Sequence, residues 1–207
     1  MKRLQALRPE FFTRDPRHVA RDLLGKILVR RQGHQTLTAR IVETEAYLGK
    51  GDPAAHSASG RTPRNAVLFG PPGCAYVYFI YGNHYCLNVS CLPDGEAGGV
   101  LFRALEPVTG IARMTQNRGL QPHRSKTGLS PADLRRLANG PGKLTQALAI
   151  TRAHNGLNLT DSTQVLYLAD DGSPKPRAKT TPRIGISKAT SLRLRYLIAD
   201  NPFVSKP

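Results

Sequence analysis

Two carboxylates two residues apart, Glu43 and Glu45, stand in the stretch Arg40-Ile-Val-Glu-Thr-Glu-Ala-Tyr-Leu-Gly49. β-Branched and aromatic residues dominate it and a glycine closes it, which predicts a strand. Side chains two apart share a strand face, so Glu43, Glu45 and Tyr47 point one way and Val42, Thr44 and Ala46 the other. Two carboxylates buried on one face repel each other when both are ionised. The chain has only 14 acidic residues, so such a pair is not filler. One reading is a carboxylate at a strand end, poised as a general base beside an aromatic platform. The other is a solvated edge strand whose charge discourages aggregation. The decapeptide alone leaves both open.

A second stretch, Tyr76-Val-Tyr-Phe-Ile-Tyr-Gly-Asn-His-Tyr85, holds four of the seven tyrosines of a chain without tryptophan. Tyrosine in a strand is ordinary, and that reading covers Tyr76 and Tyr85. Tyr81-Gly82-Asn83 reads as a hairpin tip, where a large ring is exposed unless something covers it. On a basic protein a base stack is a fitting cover, with the ring entering as a wedge that fills the gap left by an extruded nucleotide. Cys74, Cys86 and Cys91 are odd in number and fit neither a disulfide framework nor a paired zinc knuckle. His84 and Cys86 have no second pair at ligand spacing, so no metal site is expected. Gly140-Pro-Gly-Lys143 reads either as a phosphate-gripping turn before a helix or as a plain helix break. Asp170-Asp171 reads as a solvated turn.

The elements that must position these residues follow along the chain. Asp15-Pro16 opens a short helix that Gly25 ends. Strands at residues 26–31 and 36–47 make a hairpin. Residues 48–61 are a Gly-, Ala- and Ser-rich loop, and Thr62-Pro63 starts a short helix that Gly70-Pro-Pro-Gly73 stops. Strands are expected at 75–81, 85–92 and 99–107, a helix at 108–118 and a basic loop at 119–128. Ser130, with Asp133 at the third helical position, caps a helix to about residue 138, and another spans 143–150. Strands near 164–168, 183–187 and 192–199 complete the chain, with a Pro/Lys-rich loop at 170–181. Hairpin-linked strands with helices between groups of them lack the βαβ alternation of a parallel sheet. The expected class is therefore α+β with a mostly antiparallel sheet. The 207 residues fit one domain, or two small ones at most.

Thirty Lys and Arg against 14 acids give a formal net charge of +16, spread along the chain. That favours a folded surface with a polyanionic partner, nucleic acid first. No apolar run approaches the roughly 20 residues of a transmembrane helix, and Met1–Glu10 has no apolar signal core. A soluble, cytoplasmic protein with no membrane partner is expected.

Taken together, Arg40-Ile-Val-Glu-Thr-Glu-Ala-Tyr47, Ala54-Ala-His-Ser57, Thr62-Pro-Arg-Asn65, Tyr76-Val-Tyr-Phe-Ile-Tyr-Gly82, Cys86-Leu-Asn88 and Leu101-Phe-Arg-Ala-Leu-Glu-Pro107 closely resemble the alkyladenine DNA glycosylase family. Gly140-Pro-Gly-Lys-Leu144, Gln146-Ala-Leu-Ala-Ile150 and Pro182-Arg-Ile-Gly185 extend the resemblance, which runs from about residue 11 to 205. It implies one α+β domain over residues 1–207, with a curved, largely antiparallel sheet and surrounding helices, of the compact bacterial type. It also implies a monofunctional glycosylase of base-excision repair, removing 3-methyladenine, hypoxanthine and ethenoadenine from double-stranded damaged DNA. The enzyme would act as a monomer, without metal or organic cofactor, at the bacterial nucleoid when on DNA. By position, Glu45 matches the general base that activates a water, and Arg103 the arginine that helps hold it. Tyr47, His56 and Tyr78 match the residues that sandwich the flipped base, and Asn88 the one that crowds out the exocyclic amine of guanine. Tyr81 matches the intercalating wedge, while Arg64 and Lys143 are candidate DNA-backbone contacts. Glu43 reads as a support residue or arginine partner. Asn83 departs from the family, which more often carries an apolar residue such as methionine there. A non-catalytic damage sensor would keep the basic face and Tyr81 without needing Glu45, and an RNA-binding module would need an aromatic RNP-type motif that is absent.

The charge alone yields one prediction. Affinity for duplex DNA should fall steeply with salt, log K losing about 0.9 per neutralised phosphate for each tenfold rise. A salt titration checks it, and a flat response would exclude a basic surface that tracks the DNA backbone.

Overall fold

The structure, a computed structural model, describes residues 4–80, 82, 84–121 and 129–205. Among the described residues nine strands form one antiparallel sheet: β1 (Gln5–Ala6), β2 (Ile27–Gln32), β3 (Gln35–Tyr47), β4 (Ala75–Ile80), β5 (His84–Cys91), β6 (Gly98–Thr109), β7 (Leu166–Asp170), β8 (Ala178–Thr181) and β9 (Arg195–Ile198). Their order is β1-β7-β2-β3-β6-β5-β4, with β9 pairing with β3 and β8. The curled sheet is a half-barrel. Helices α1 (Pro16–Asp22), α2 (Ile111–Asn117), α3 (Pro131–Arg136) and α4 (Pro141–Ala147) accompany it. The α+β expectation holds.

β3 decides the layout. Its first half pairs with β2, its second half pairs with β9 over Glu43–Glu45, and β6 runs along its other side. It is a central strand, so the edge-strand reading of its carboxylates fails. The β3–β6 register slips on both sides of Glu43, a bulge-like irregularity of the kind that re-aims side chains beside functional sites. Apolar positions of the sheet, among them Leu28, Ile41, Val77, Leu87, Val89, Val100 and Phe102, pack with Leu23, Met114, Leu137, Leu144 and Leu148 in one core.

The helix starts follow their capping residues. The Asp15 side chain accepts from the Arg17 backbone N–H and the Ser130 hydroxyl accepts from that of Asp133, each satisfying an orphan donor of the first turn. Three expectations need correction. Residues 183–187 form no strand: Pro182 lacks an N–H, Gly185 has φ of +74°, and the Ile184 peptide is bonded elsewhere. The second half of the expected 170–181 loop is β8, whose Lys-Thr-Thr run pairs with β9; the preceding prolines mask it. Asp170 and Asp171 are no solvated turn, since they pair with Lys26 and Arg40. Tyr81 and Asn83, and most of the 119–128 loop, lie outside the described residues.

Gly49 ends β3 at φ of +80°, and a Cβ there would meet the Ala97 carbonyl oxygen at 1.7 Å. The left-handed conformation alone costs an L-residue about 1–2 kcal/mol, and the clash with backbone adds to it. Gly49→Ala should lower stability by more than about 2 kcal/mol, read as a shift in the urea midpoint; an unchanged midpoint would refute this.

Candidate active site

Glu45 is completely buried near the end of β3. Its Oε1 accepts from the Ile184 backbone N–H at 2.8 Å and lies 3.3 Å from an Arg103 terminal nitrogen. Its Oε2 accepts from the Tyr47 hydroxyl at 3.0 Å. An ionised carboxylate offers about four acceptor positions, and these contacts leave room for one more donor. Burial raises the Glu45 pKa above the ordinary carboxylate range, a rise opposed by Arg103, the Ile184 N–H and the Tyr47 hydroxyl.

The neighbouring carboxylate, Glu43, is equally buried and supports this one. Its Oε1 takes Arg103 Nε at 3.1 Å, Arg195 Nε at 2.6 Å and the Ser205 hydroxyl at 2.9 Å, while Oε2 takes the Ser205 N–H at 2.6 Å. Arg103 therefore lies between the two acids and also donates to the Ile184 carbonyl at 3.2 Å. The repulsion expected of two adjacent buried carboxylates is answered by guanidinium groups from β6 and β9.

Tyr47, Arg103 and Ile184, three partners of Glu45, line a cavity of about 580 Å³. Its aromatic side comes from β4 and the loop after β3. His56 and Tyr78 have ring centroids 4.5 Å apart, and Tyr76 lies 5.2 Å from Tyr78. The Tyr76 hydroxyl and His56 Nδ1 are 3.0 Å apart. Tyr47 lines the same cavity as these three. Asn88 on β5 lines the same cavity, with its amide donating to the Tyr76 carbonyl at 3.2 Å. Burial and then the Arg64 charge lower the His56 pKa, which keeps the ring neutral near pH 7. Burial raises the Tyr47 and Tyr78 hydroxyls, so both stay protonated. Cys86, pushed up to about 11 mainly by burial, lines the cavity as a thiol.

Glu45, Arg103, Tyr47, His56, Tyr78 and Asn88 thus converge on one place. Arg64 lines the same cavity with its guanidinium 5.6 Å above the Tyr78 ring. Lys143 stands on α4, two residues after the cavity-lining Pro141, and donates to Asn139. Its pKa is lowered by burial and by the charges of Arg118 and Arg136, so cations from the C-terminal cap of α2, from α3 and from α4 gather there. Tyr81 lies outside the described residues. Sequence reasoning missed Tyr76, which passed for an ordinary strand tyrosine, and the segment 184–188, which forms a cavity wall. It also missed a fully buried ion pair, Arg183 to Asp52 at 2.6 and 2.8 Å. Its only sequence signal was Arg183 inside the Pro-Arg-Ile-Gly motif.

Residues 10–202 match the protein family described as methylpurine-DNA glycosylase. A protein of Koribacter versatilis is 57% identical over 99% of this chain and 95% of its own length. One from Prosthecochloris aestuarii is 50% identical over 95% and 89%, and one from Rhodopseudomonas palustris 48% identical over 97% and 91%. The names of all three describe candidate 3-methyladenine DNA glycosylases. Among the described residues no helix is long and apolar enough to cross a membrane.

Removing one member of a buried ion cluster leaves its partners uncompensated, at a cost of about 3–5 kcal/mol. Glu43→Gln, which withdraws a carboxylate from two buried guanidinium groups, should destabilise the protein by about that amount in guanidinium chloride unfolding. A loss under about 1 kcal/mol would show that the cluster does not depend on Glu43.

Proposed function

The chain belongs to the methylpurine-DNA glycosylase family, enzymes that hydrolyse the N-glycosidic bond of DNA, and from that premise we propose which bases it removes and how. The substrate is duplex DNA carrying an alkylated purine, 3-methyladenine foremost, with hypoxanthine and ethenoadenine also accepted. One observation carries the reading: a buried carboxylate, Glu45, held by Arg103, Ile184 and Tyr47 directly behind an aromatic cavity of about 580 Å³.

The damaged nucleotide leaves the stack and its base enters the cavity, where aromatic walls read it by stacking. Tyr47 forms one wall, and His56 with Tyr78 the other. Asn88, fixed by its bond to the Tyr76 carbonyl, crowds the exocyclic amine of normal guanine. Glu45 uses its remaining lone pair to hold a water, with Arg103 as the second holder. The water oxygen bonds to the sugar C1′ and its proton passes to Glu45. The C1′–N bond breaks, and its electron pair leaves with the base. The carboxylate also stabilises the oxocarbenium-like sugar. An alkylated purine already carries positive charge and leaves as a neutral base without an acid catalyst. Neutral hypoxanthine needs a proton first. Lys143, beside Arg118 and Arg136, and Arg64 at the cavity wall contact DNA phosphates, and Tyr81 fills the vacated gap. The enzyme works as a monomer in the cytoplasm, in a single domain. A non-catalytic damage sensor is disfavoured because it would gain nothing from burying Glu45 in this array.

Glu45→Gln should abolish base release while leaving binding to damaged DNA within a few-fold. Single-turnover release from oligonucleotides, alongside filter binding, checks this; persisting excision would refute the role of Glu45. For cationic bases, release requires the carboxylate. Because Glu45 is raised by burial, activity should be full at neutral pH and fall on acidification at a midpoint above the usual glutamate value of about 4.3. A rate independent of pH between 4 and 8 (roughly the span that brackets this value) would count against the scheme.

A further inference from the structure

Tyr47 presents one ring face to the cavity, and the other face is occupied. The Arg183 guanidinium carbon lies 4.6 Å from the Tyr47 ring centroid. The Arg183 side chain is completely buried and is not among the cavity walls, so it covers the face turned away from the guest. Its terminal nitrogens form a two-pronged pair with Asp52 and reach the Ala46 carbonyl at 3.1 Å. Its Nε is buried with no hydrogen-bond acceptor among the described residues. The π face of Tyr47 is thus an electrostatic partner of a cation whose hydrogen bonding is incomplete.

A cation over one face of a ring draws on the same negative quadrupole that attracts a cation to the other. A positively charged base stacked on the cavity face of Tyr47 competes with Arg183 for that density and feels the repulsion of a like charge. A neutral base feels neither. Asp52 limits the repulsion by neutralising the pair overall, but the guanidinium, not the carboxylate, lies against the ring.

We propose that Arg183 is a specificity-determining residue acting through Tyr47: by occupying the back of the ring it weakens the stacking of cationic purines relative to neutral ones and so widens the range of bases the cavity accepts. This rests on the reading that the cavity receives an extruded purine. Arg183 touches no substrate, so it is a positioning and tuning group.

The test is the ratio of single-turnover release rates for 3-methyladenine, cationic while attached to the sugar, and hypoxanthine, neutral, from otherwise identical duplexes. The pair Asp52→Asn with Arg183→Gln removes both charges and keeps amide hydrogen bonding. It should raise the cationic-to-neutral ratio about fivefold. Asp52→Asn alone leaves Arg183 uncompensated and should lower the ratio, a test that survives if the double variant does not fold. Opposite shifts in the two variants support the proposal. Equal slowing of both bases in each variant would show that the ion pair is structural support only and would overturn it. If the wild-type protein releases neither base, the glycosylase reading fails, and this inference with it.

Discussion

Everything in the site depends on holding two buried carboxylates beside each other. Glu43 and Glu45 are both fully buried, and isolated ionised carboxylates in such a place would lose several kcal/mol of hydration each. Arg103 resolves this by lying between them, with Arg195 as a second guanidinium partner of the same Glu43 oxygen. The arrangement makes the acids unequal. Glu43 is saturated by two guanidinium groups and Ser205, whereas Glu45 keeps an unused acceptor position and an elevated pKa. Two chemically identical side chains, two residues apart, end with different hydrogen bonding because their surroundings differ: one is saturated and the other keeps an open position.

The sheet exists around that asymmetry. β3 is central, so its carboxylates are covered from both sides, and the register slip at Glu43 coincides with the point where β9 joins it. Arg103 arrives from β6 and Arg195 from β9, strands that are distant in sequence and adjacent in space. The cavity walls come from a third group, β4 and β5, whose alternation turns Tyr76 and Tyr78 to the guest while Val77 joins the core.

The sequence exposed the parts of this design that are local. Period-two alternation put the acids of β3 on one face, capping residues marked α1 and α3, and the motifs around Glu45, His56 and Asn88 pointed to one cavity. It hid what depends on tertiary pairing. β8 is four residues behind a proline-rich lead, so its strand character comes from β9 and not from its own pattern. Residues 183–187 look like a strand because of Ile184 and Ile186, yet the Ile184 backbone is taken by Glu45 and Arg103. Tyr76 was indistinguishable from a core tyrosine because its membership of the cavity comes from a bond to His56, 20 positions away. The Asp52–Arg183 pair spans 131 positions, and no local spacing rule reaches that far.

The Ile184 peptide is the least conspicuous member of the site. Its N–H meets Glu45 and its carbonyl meets Arg103, so the main chain of one residue orients both partners. A contact made by the main chain is inherited without regard to the side chain attached to it. Nineteen of the twenty encoded residues would retain both groups at this position, and proline alone would delete the donor. Genetic drift can therefore change the residue at position 184, and with it the shape of the cavity wall, while the alignment of the two charged partners is carried forward intact. The site thus assigns the shape of the cavity wall to a side chain and the placing of Glu45 and Arg103 to the main chain.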